Sequence, residues 1–500
     1  MRQKPFAVIN IGSSAFRMQI SDFSTGKHVL LEYLIKSLPL GKDTFKKGYI
    51  NLETTKKSVE ILKKFQNKLT EYKINRFVAV ATSGVREAIN RDFFIDYIFK
   101  NTGIEIKVLD PYEEMFIRYT AFINETEDIS KLEKKGLIFA NVSSGNVSLT
   151  VNMDKSITYS EALPFGSLRL NEIFSDLPES EKTHAFKVYI DNMLSEAKKV
   201  LSKEKPKVVF FTGSTVNVLK YIFEPKKAEL KITDLKELLT KIELFTPEMI
   251  SKELNLRMNE AEIIKAVLMS YLRILNISGQ NRFYFSSTSF PHKLVMYFAN
   301  KYKNKNLKVY LQHTLIHYGN KYNFDKNHAL RVRYNTKKLF TELKDIHNIP
   351  INYLKILDIA AITHDFGYFI NPANHEYNSY HILKSMHLPG VSEKEMDIAS
   401  LIVLMHRGYN VEYFKEYFTY NIDLFLIKKL VALFRVADAL DASHKQIVKD
   451  FKIDKSTDKV KIIAFVTDFI YLEKLSFDKK SQLFENVFGV KVELEERPFT

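Results

Sequence analysis

Two short turns rich in glycine and serine stand out as candidates for binding phosphate. In the first, an apolar run at 6–11 ends in Gly12, Ser13 and Ser14, and alternating apolar and polar residues follow. That pattern predicts a strand, a tight turn and a second strand. Because glycine and serine leave backbone N–H groups open to an anion, the turn is a candidate phosphate cradle. A single copy of such a turn is more often an ordinary hairpin.

A second copy of the same pattern lies at 138–151 and strengthens the phosphate interpretation. Placing Asn141 on Asn10 aligns Ser144 with Ser13, and the apolar residues that follow also match. Two related hairpins, about one small domain apart, predict a duplicated α/β core with a phosphate cleft between its halves. The second cradle would consist of Ser144, Gly145 and Asn146.

Two further turns follow short buried strands and could also bind anions. The strand at 77–80 leads to Thr82 and Ser83, with Arg86 one turn into the next helix. Free N–H groups at a helix start favour an anion, but hydroxyls there also serve as plain helix caps. The spacing leaves both interpretations open. The other turn follows the strand at 208–211 and consists of Gly213, Ser214 and Thr215.

Two adjacent carboxylates, Glu113 and Glu114, stand in the first turn of a predicted helix that begins at Pro111. Acidic residues at a helix start usually complement the helix dipole. One of the two could instead orient a water molecule for attack, which requires a carboxylate near the phosphate cradle.

A third set of candidates lies on apolar helical patterns beyond residue 307. His328, the doublet His364-Asp365 and the distant Asp438 offer two imidazoles and two carboxylates, which suit one divalent ion. His375 and His406 could extend the site to a second ion. A single buried histidine is usually a core residue, but four such groups in this order favour a metal site.

Several domains must position these residues, because 500 residues are too many for one hydrophobic core. The patterns predict an α/β protein with two related lobes, followed by a helical domain and a small α+β domain. The predicted boundaries are 1–124, 125–306, 307–448 and 449–500.

Composition restricts the possible partners and location. The chain has a formal net charge of +15 and no cysteine, so it favours polyanionic partners and excludes disulfides and thiolate metal sites. It shows no signal-peptide core and no apolar run of about 18 residues, which predicts a cytoplasmic protein without a membrane partner. No nucleic-acid-binding module is found, so no specific nucleic acid is expected.

The motifs, taken in order, make the chain resemble the exopolyphosphatase/guanosine pentaphosphate phosphohydrolase (Ppx/GppA) family over nearly its whole length. The matching segments of the first half are VINIGSSAFRM at 8–18, ATSGVREAIN at 81–90, PYEEMF at 111–116, LPFGSLRL at 163–170 and TGST at 212–215. Those of the helical part are THDFGYF at 363–369, LPGVS at 388–392, MHR at 405–407 and LFRVADALD at 433–441.

The resemblance implies two ribonuclease-H-like lobes of the actin and hexokinase superfamily, an HD-like helical domain and a homodimer. It implies a cleft in which water, oriented by a glutamate in the position of Glu114, attacks the terminal phosphate of inorganic polyphosphate or guanosine pentaphosphate. Binding of the tetraphosphate is implied as well. In such enzymes Mg²⁺ is held by acidic residues of the two phosphate motifs, at the positions of Asn10 and Asn141 here.

This chain departs from the family at those positions, since Asn10, Asn141 and Ser148 stand where carboxylates are usual. A neutral amide is a poorer Mg²⁺ ligand than a carboxylate. Losing up to three negative charges also strengthens the attraction for phosphate itself.

Three functions follow as hypotheses. The first is hydrolysis in the cleft with Glu114 as base. The second is a sensor or scaffold that binds polyphosphate or the alarmone without turnover. The third is metal-dependent phosphohydrolysis by His328, His364, Asp365 and Asp438 in the helical domain.

Overall fold

The computed structural model describes residues 5–223, 229–286, 288–300, 305–388, 390–408, 423–456 and 459–499. Two compact units divide the chain, Met1–Tyr310 and Leu311–Thr500. We call them unit 1 and unit 2 and describe each by itself. Among the described residues, no helix combines the length and the apolar character needed to span a bilayer.

The first half of unit 1, lobe I, is a five-stranded sheet with strand order β3-β2-β1-β4-β5. The strands β1 and β2 form the predicted hairpin, and β4 and β5 extend the sheet in parallel. The elements are β1 (Phe6–Ile11), β2 (Ala15–Asp22), β3 (Val29–Ser37), α1 (Leu40–Lys47), α2 (Leu52–Glu71), β4 (Phe77–Ala81), α3 (Ser83–Arg86), α4 (Arg91–Thr102), β5 (Ile106–Val108) and α5 (Pro111–Glu125).

Lobe II, the second half of unit 1, is a six-stranded sheet with order β10-β11-β9-β6-β7-β8. Its strands are β6 (Leu137–Val142), β7 (Val147–Met153), β8 (Ser156–Leu163), β9 (Val208–Thr212), β10 (Glu229–Lys231) and β11 (Arg282–Phe285). Its helices are α6 (Ile129–Lys134), α7 (Ser167–Ile173), α8 (Glu179–Met193), α9 (Ser195–Glu204), α10 (Val216–Phe223), α11 (Ile232–Ile242), α12 (Pro247–Leu254), α13 (Met258–Ala261) and α14 (Ile264–Ser278).

The two lobes repeat the same hairpin in the same register. In lobe I, Asn10 stands opposite Arg17 across β1 and β2. In lobe II, Asn141 stands opposite Ser148 across β6 and β7. Each central strand is buried along its whole length, as expected where helices cover both faces of a sheet. The predicted duplicated α/β core is therefore confirmed.

Helices α15 (Phe290–Phe298) and α5 pack together and form a layer beneath the first sheet. Leu294 and Val295 of α15 share a core with Val8 of β1 and Ile117 of α5. The segment 290–298 was predicted to belong to lobe II, but in the structure it packs on lobe I. This return of the chain brings a residue from late in the sequence next to the first hairpin.

Unit 2 consists of helices around one core, followed by a small sheet with order β12-β13-β14. Phe451 and Ile462 of that sheet lie in the same core as the helices, so the segments 307–448 and 449–500 pack as one body. The elements from the end of unit 1 onward are α16 (Lys305–Lys321), α17 (Lys326–Glu342), α18 (Lys344–His347), α19 (Leu354–Thr363), α20 (His375–Ser385), α21 (Glu393–Met405), α22 (Leu424–Ala439), β12 (Val448–Lys455), β13 (Lys459–Val466), α23 (Tyr471–Phe488) and β14 (Lys491–Pro498).

Candidate functional site

The two predicted phosphate turns lie directly against each other in unit 1. Ser13 Oγ is 3.0 Å from Ser83 Oγ, which joins the first turn to the start of α3. Gly145 of the second turn packs so closely on the same serine that a Cβ would lie 2.1 Å from Ser83 Oγ. Only glycine fits at that point. The turns of the two lobes therefore face each other across a closed cleft.

Charged side chains connect the lobes around these turns. Arg169 donates from Nε to the carbonyl oxygen of Gly145 at 2.7 Å and pairs through Nη2 with Glu87. Its guanidinium also lies over the Phe45 ring. A partly exposed pair of this kind contributes about 1 kcal/mol at most. Two more ion pairs cross the cleft, Lys42 with Glu262 at 2.8 Å and Lys46 with Asp176 at 3.2 Å.

Some predicted phosphate ligands use their side chains elsewhere. Asn146 Oδ1 accepts a hydrogen bond from Ser143 Oγ at 2.7 Å and so closes its own turn. Thr215 Oγ1 donates to the carbonyl oxygen of Val142 at 3.1 Å, inside lobe II. The Asn146 side chain could still donate to a phosphate from Nδ2, whereas the Thr215 hydroxyl is held inside lobe II.

The other predicted turn residues differ in exposure. Thr82 is buried, Ser14 is half-buried and Ser214 is exposed. Gly213 has φ +119°, and a Cβ there would lie 2.2 Å from the carbonyl oxygen of Val142, so the close approach of β9 to β6 requires glycine.

Glu114 is buried between two arginines at the start of α5. Its Oε1 accepts hydrogen bonds from Arg118 Nη2 at 2.8 Å and Nε at 3.2 Å. Its Oε2 lies 3.6 Å from Arg86 Nη1 and has no hydrogen-bond partner among the described residues. Arg86 itself donates to the carbonyl oxygen of Leu109 at 2.7 Å. The carboxylate thus neutralises buried cations, and one of its oxygens is free to accept a proton.

Two buried cations, Arg118 and Lys293, and the partly buried Arg17 lie near this part of the cleft. Lys293, on α15, is fully buried, and its ammonium donates to Thr212 Oγ1 at 3.1 Å. Burial, reinforced by the charge of Arg118, lowers the pKa of Lys293 to about 7. Burial likewise lowers the pKa of Arg17, and the charge of Arg118 acts in the same direction. The charge of Arg118 therefore acts on both Lys293 and Arg17.

The residues of the cleft do not fit Mg²⁺. Asn10 and Asn141 are 4% and 1% exposed, and their Oδ1 atoms have no partner among the described residues. Thr212, whose hydroxyl binds the Lys293 ammonium, is the register partner of Asn141 on the neighbouring strand. Mg²⁺ needs carboxylate oxygens, and a nearby ammonium repels it. The expectation of Mg²⁺ at Asn10 and Asn141 is not supported by this set of side chains.

In unit 2, the four predicted metal ligands meet in one buried cluster. His328 Nε2 lies 3.1 Å from His364 Nε2, 3.5 Å from Asp438 Oδ1 and 3.6 Å from Asp365 Oδ2. His328 comes from α17, the doublet from the end of α19, and Asp438 from α22. One imidazole pair and two carboxylates therefore converge on a single point, as a divalent ion requires.

A second group of ligands adjoins the first. His375 Nε2 lies 3.2 Å from His406 Nε2 and 3.2 Å from Asp365 Oδ1. Asp365 directs its other oxygen, Oδ2, to His364 at 3.3 Å. One carboxylate thus joins two sets of histidines, which is the arrangement of a site for two ions.

Backbone carbonyls and one carboxylate orient all four imidazoles. Because a carbonyl oxygen only accepts, each Nδ1 that faces one must carry the proton, which leaves Nε2 free to bind a metal. The partner carbonyls are Ala361 for His364 at 3.0 Å, Pro372 for His375 at 3.2 Å and Val403 for His406 at 2.6 Å. His328 Nδ1 donates instead to Asp441 Oδ2 at 2.9 Å.

The cluster favours a positive charge at its centre. Burial alone would lower the pKa of His328, but Asp438 and Asp441 raise it to about 10. Burial alone would raise the pKa of Asp365, but the neighbouring histidines lower it well below the usual range. Burial lowers the pKa of His406 to about 3, which keeps that imidazole neutral and able to bind a metal.

Sequence reasoning missed several residues of both sites. Asp441 follows Asp438 by one helical turn, a spacing that could have revealed it. His444 stacks on His328 with ring centroids 3.6 Å apart, and Lys480 of α23 pairs with Asp438. Arg118 follows Glu114 by four residues, which is also a recognisable spacing. Nothing in the sequence pointed to Lys293.

The comparisons with known proteins agree with this architecture. A profile of the Ppx/GppA phosphatase family matches residues 20–279. A profile of Ppx/GppA phosphatase domain III matches residues 312–482. The first match alone covers more than half of the chain.

Curated relatives match over part of their length. A bifunctional 3-dehydroquinate synthase/phosphatase of Fusobacterium nucleatum is 25% identical over 175 residues, which are 34% of this chain and 26% of the relative. Exopolyphosphatase 1 of Mycobacterium leprae is 24% identical over 216 residues, 42% of this chain and 62% of the relative. The chain thus spans less than two thirds of the length of either relative.

A solved structure supports the fold. The crystal structure of an exopolyphosphatase from Cytophaga hutchinsonii has a TM-score of 0.54 and 19% identity, and the match covers 60% of this chain and 99% of that one. The predicted α/β class with two actin-like lobes is confirmed.

Proposed function

The chain belongs to the Ppx/GppA phosphatase family, and we propose that it is a phosphohydrolase whose reaction takes place at the His/Asp centre of unit 2. The observation that carries this proposal is the position of Asp365, which faces His364 with one oxygen and His375 with the other. Every candidate ligand of the centre is buried, whereas the cleft of unit 1 has Asn10, Asn141 and Ser148 where the family resemblance implied carboxylates.

The donor set fits divalent ions of the transition series, since imidazole and carboxylate together suit Mn²⁺, Fe²⁺ and Zn²⁺. The residues that would hold the ions are His328, His364, Asp365, His375, His406 and Asp438. Ions bound there would supply a Lewis acid that activates water and neutralises charge on the phosphate.

The chain's own side chains prepare the centre for that chemistry. Asp441 holds the His328 ring through Nδ1, and Lys480 fixes one oxygen of Asp438 so that the other faces the histidines. Arg407 adjoins His406, lies 3.8 Å from Glu376 Oε2 and has a half-exposed side chain, so we assign it to binding the substrate phosphate with its remaining donors.

The substrate we propose is a terminal phosphoanhydride, in inorganic polyphosphate or guanosine pentaphosphate. The net charge of +15 supports a polyanionic substrate, and the Mycobacterium leprae relative is named an exopolyphosphatase. The predicted homodimer stays a prediction.

Water attack in the cleft with Glu114 as base stays a second candidate because one observation favours it. Glu114 Oε2 is buried and has no hydrogen-bond partner among the described residues, so it could accept a proton from water. The other oxygen of the same carboxylate, Oε1, accepts hydrogen bonds from Arg118.

A phosphate-release assay separates the two mechanisms. Release from long-chain polyphosphate and from guanosine pentaphosphate is measured in parallel, with Mn²⁺ and with Mg²⁺, for the wild type, D365N, E114Q and D358N. Asp358 lies on the same helix as the doublet and pairs with Arg333 at 3.0 Å, so D358N is the matched control.

We expect D365N to lose more than ~100-fold of the activity, because even the partners of metal ligands cost 10–100-fold when removed. D358N and E114Q should retain it. Activity that is retained in D365N and lost in E114Q would mean that the reaction takes place in the cleft of unit 1. No release by the wild type from either substrate would overturn both mechanisms.

A further inference from the structure

We propose that the cleft of unit 1 binds an inorganic phosphate chain without a divalent metal, with Lys293 supplying the positive charge that a carboxylate-held ion supplies elsewhere in the family. This inference is independent of the reaction proposed for unit 2. It rests on the disagreement between the cleft residues and the Mg²⁺ that the resemblance implied.

The first argument is the balance of buried charge. Arg118 and Lys293 are buried cations and Arg17 is a partly buried one, and Glu114 is in direct contact with Arg118. A buried cation is stable only when it is paired or hydrogen-bonded. Glu125 also attracts Lys293 electrostatically, so two carboxylates face three cations and the cleft keeps an excess of positive charge.

The second argument is the environment of Lys293. An ammonium group has three N–H donors, and among the described residues its one hydrogen bond is to the neutral hydroxyl of Thr212. Two donors of a fully buried side chain are therefore available for another acceptor. A phosphate oxygen would supply both the hydrogen bond and the missing negative charge.

The third argument concerns the two amides. A carboxylate can only accept hydrogen bonds, whereas an asparagine offers an N–H₂ group as well as an oxygen. Rotating the side-chain amide of Asn10 or Asn141 by half a turn would place N–H₂ where the unpartnered Oδ1 now lies. An Asp-to-Asn exchange thus turns a site for cations into a site that can donate to phosphate.

The lowered pKa of Lys293 agrees with this assignment. Burial and the charge of Arg118 lower the pKa to about 7, and the opposing charge of Glu125 offsets only part of this shift. A bound phosphate chain would restore the charged form.

Isothermal titration calorimetry with sodium tripolyphosphate tests the proposal. The titrations contain EDTA and physiological salt, which screens loose binding to exposed lysines. All proteins carry D365N, so that failure of the unit 2 proposal cannot be mistaken for failure of this one. The variants are K293M, N10D and, as a matched control, K265M. Lys265 is a buried lysine of lobe II that pairs with Glu179 at 2.7 Å, away from the turns.

We expect the parent protein and K265M to bind tripolyphosphate without metal, and K293M and N10D to bind at least ~10-fold more weakly, because K293M removes a buried positive charge and N10D adds a negative one. N10D is nearly isosteric, so it keeps the experiment decisive should K293M not fold. Binding by the parent that requires Mg²⁺, an absence of binding, or equal binding by both cleft variants would overturn the proposal.

Discussion

The cleft of unit 1 and the His/Asp centre of unit 2 show two different ways to neutralise a phosphate. The centre contains two carboxylates, Asp365 and Asp438, and surrounds them with oriented imidazoles. The cleft has Asn10, Asn141 and Ser148 at the positions where the resemblance implied acids, and it contains the buried ammonium of Lys293. A site with carboxylates recruits metal ions, whereas a site with buried cations binds the anion directly.

Introducing carboxylates at three positions of the cleft should have the largest effect on this difference between the two sites. The triple variant N10D/N141D/S148E adds three acids to the two hairpins of the cleft. Juxtaposed like charges cost several kcal/mol, so metal-free binding of tripolyphosphate should weaken by ~100-fold or more. Calorimetry in EDTA, repeated with Mg²⁺, measures the change. If the triple variant still binds as tightly as the wild type in EDTA, the cations of the cleft are not what holds the anion.

Removing the carboxylate that accepts the hydrogen bond from His328 should weaken metal binding at the His/Asp centre of unit 2. In D441N the Nδ1 atom of His328 loses its carboxylate partner, and changes of this kind typically reduce metal affinity ~10–100-fold. Competition with a fluorescent Mn²⁺ chelator reports the affinity, and D358N is again the control. An unchanged affinity in D441N would mean that His328 is not a ligand.

The number of protons taken up when tripolyphosphate binds to the cleft should depend on pH. At pH 8 Lys293, whose pKa is lowered to about 7, is mostly neutral, and binding of tripolyphosphate should take up nearly one proton; at pH 6 it should take up almost none. Calorimetry in buffers of different ionisation enthalpy counts the protons. Equal uptake at the two pH values, or uptake that persists in K293M, would contradict the assignment.

Lys293 should also make the free energy of unfolding rise with pH. The pKa of Lys293 in the folded protein, about 7, lies below the unfolded value of 10.5. Burial of this lysine therefore destabilises the fold by its full amount below pH 7, and this destabilisation disappears as the pH rises towards 10.5. Stability should therefore rise by about 1.4 kcal/mol per pH unit across this window. K293M should show a flatter profile in urea unfolding than K265M.

The smallest expected effect concerns the contacts that close the cleft. R169M removes the bonds to Gly145 and Glu87, and a partly exposed pair of this kind is worth about 1 kcal/mol. Tripolyphosphate should therefore dissociate a few-fold faster in stopped-flow measurements. K46M, which removes the more exposed Asp176 pair, should change the rate less, and the reverse order would show that Arg169 does not limit opening.

Much of the architecture could be predicted because it is local. Alternation of apolar residues on either side of a Gly/Ser turn determines both hairpins, and the helical positions of His328, His364 and Asp438 place one side chain each on a buried face. The clustering of these residues was suggested by their chemistry and is seen in the structure. Their role as metal ligands stays a proposal.

What could not be predicted depends on distant parts of the chain. Lys293 reaches the cleft because α15 returns to pack on β1 and α5, and no periodic pattern reports such a return. Arg118 was hidden for a different reason, since a charged residue on a helix is normally solvated, and only the packing of α5 under the sheet buries it. The sequence therefore showed that the cleft has no acid at positions 10, 141 and 148. It did not show that Arg118 and Lys293 are buried there.

The most direct test is the metal content of the full-length protein. After purification with Mn²⁺ and removal of free ions, elemental analysis is compared among the wild type, D365N and E114Q. We predict about two ions per chain in the wild type and in E114Q, as a bridged pair of sites requires, and a loss of both in D365N. A wild type without stoichiometric metal, or a D365N protein that keeps its ions, would contradict the assignment of the metal chemistry to unit 2.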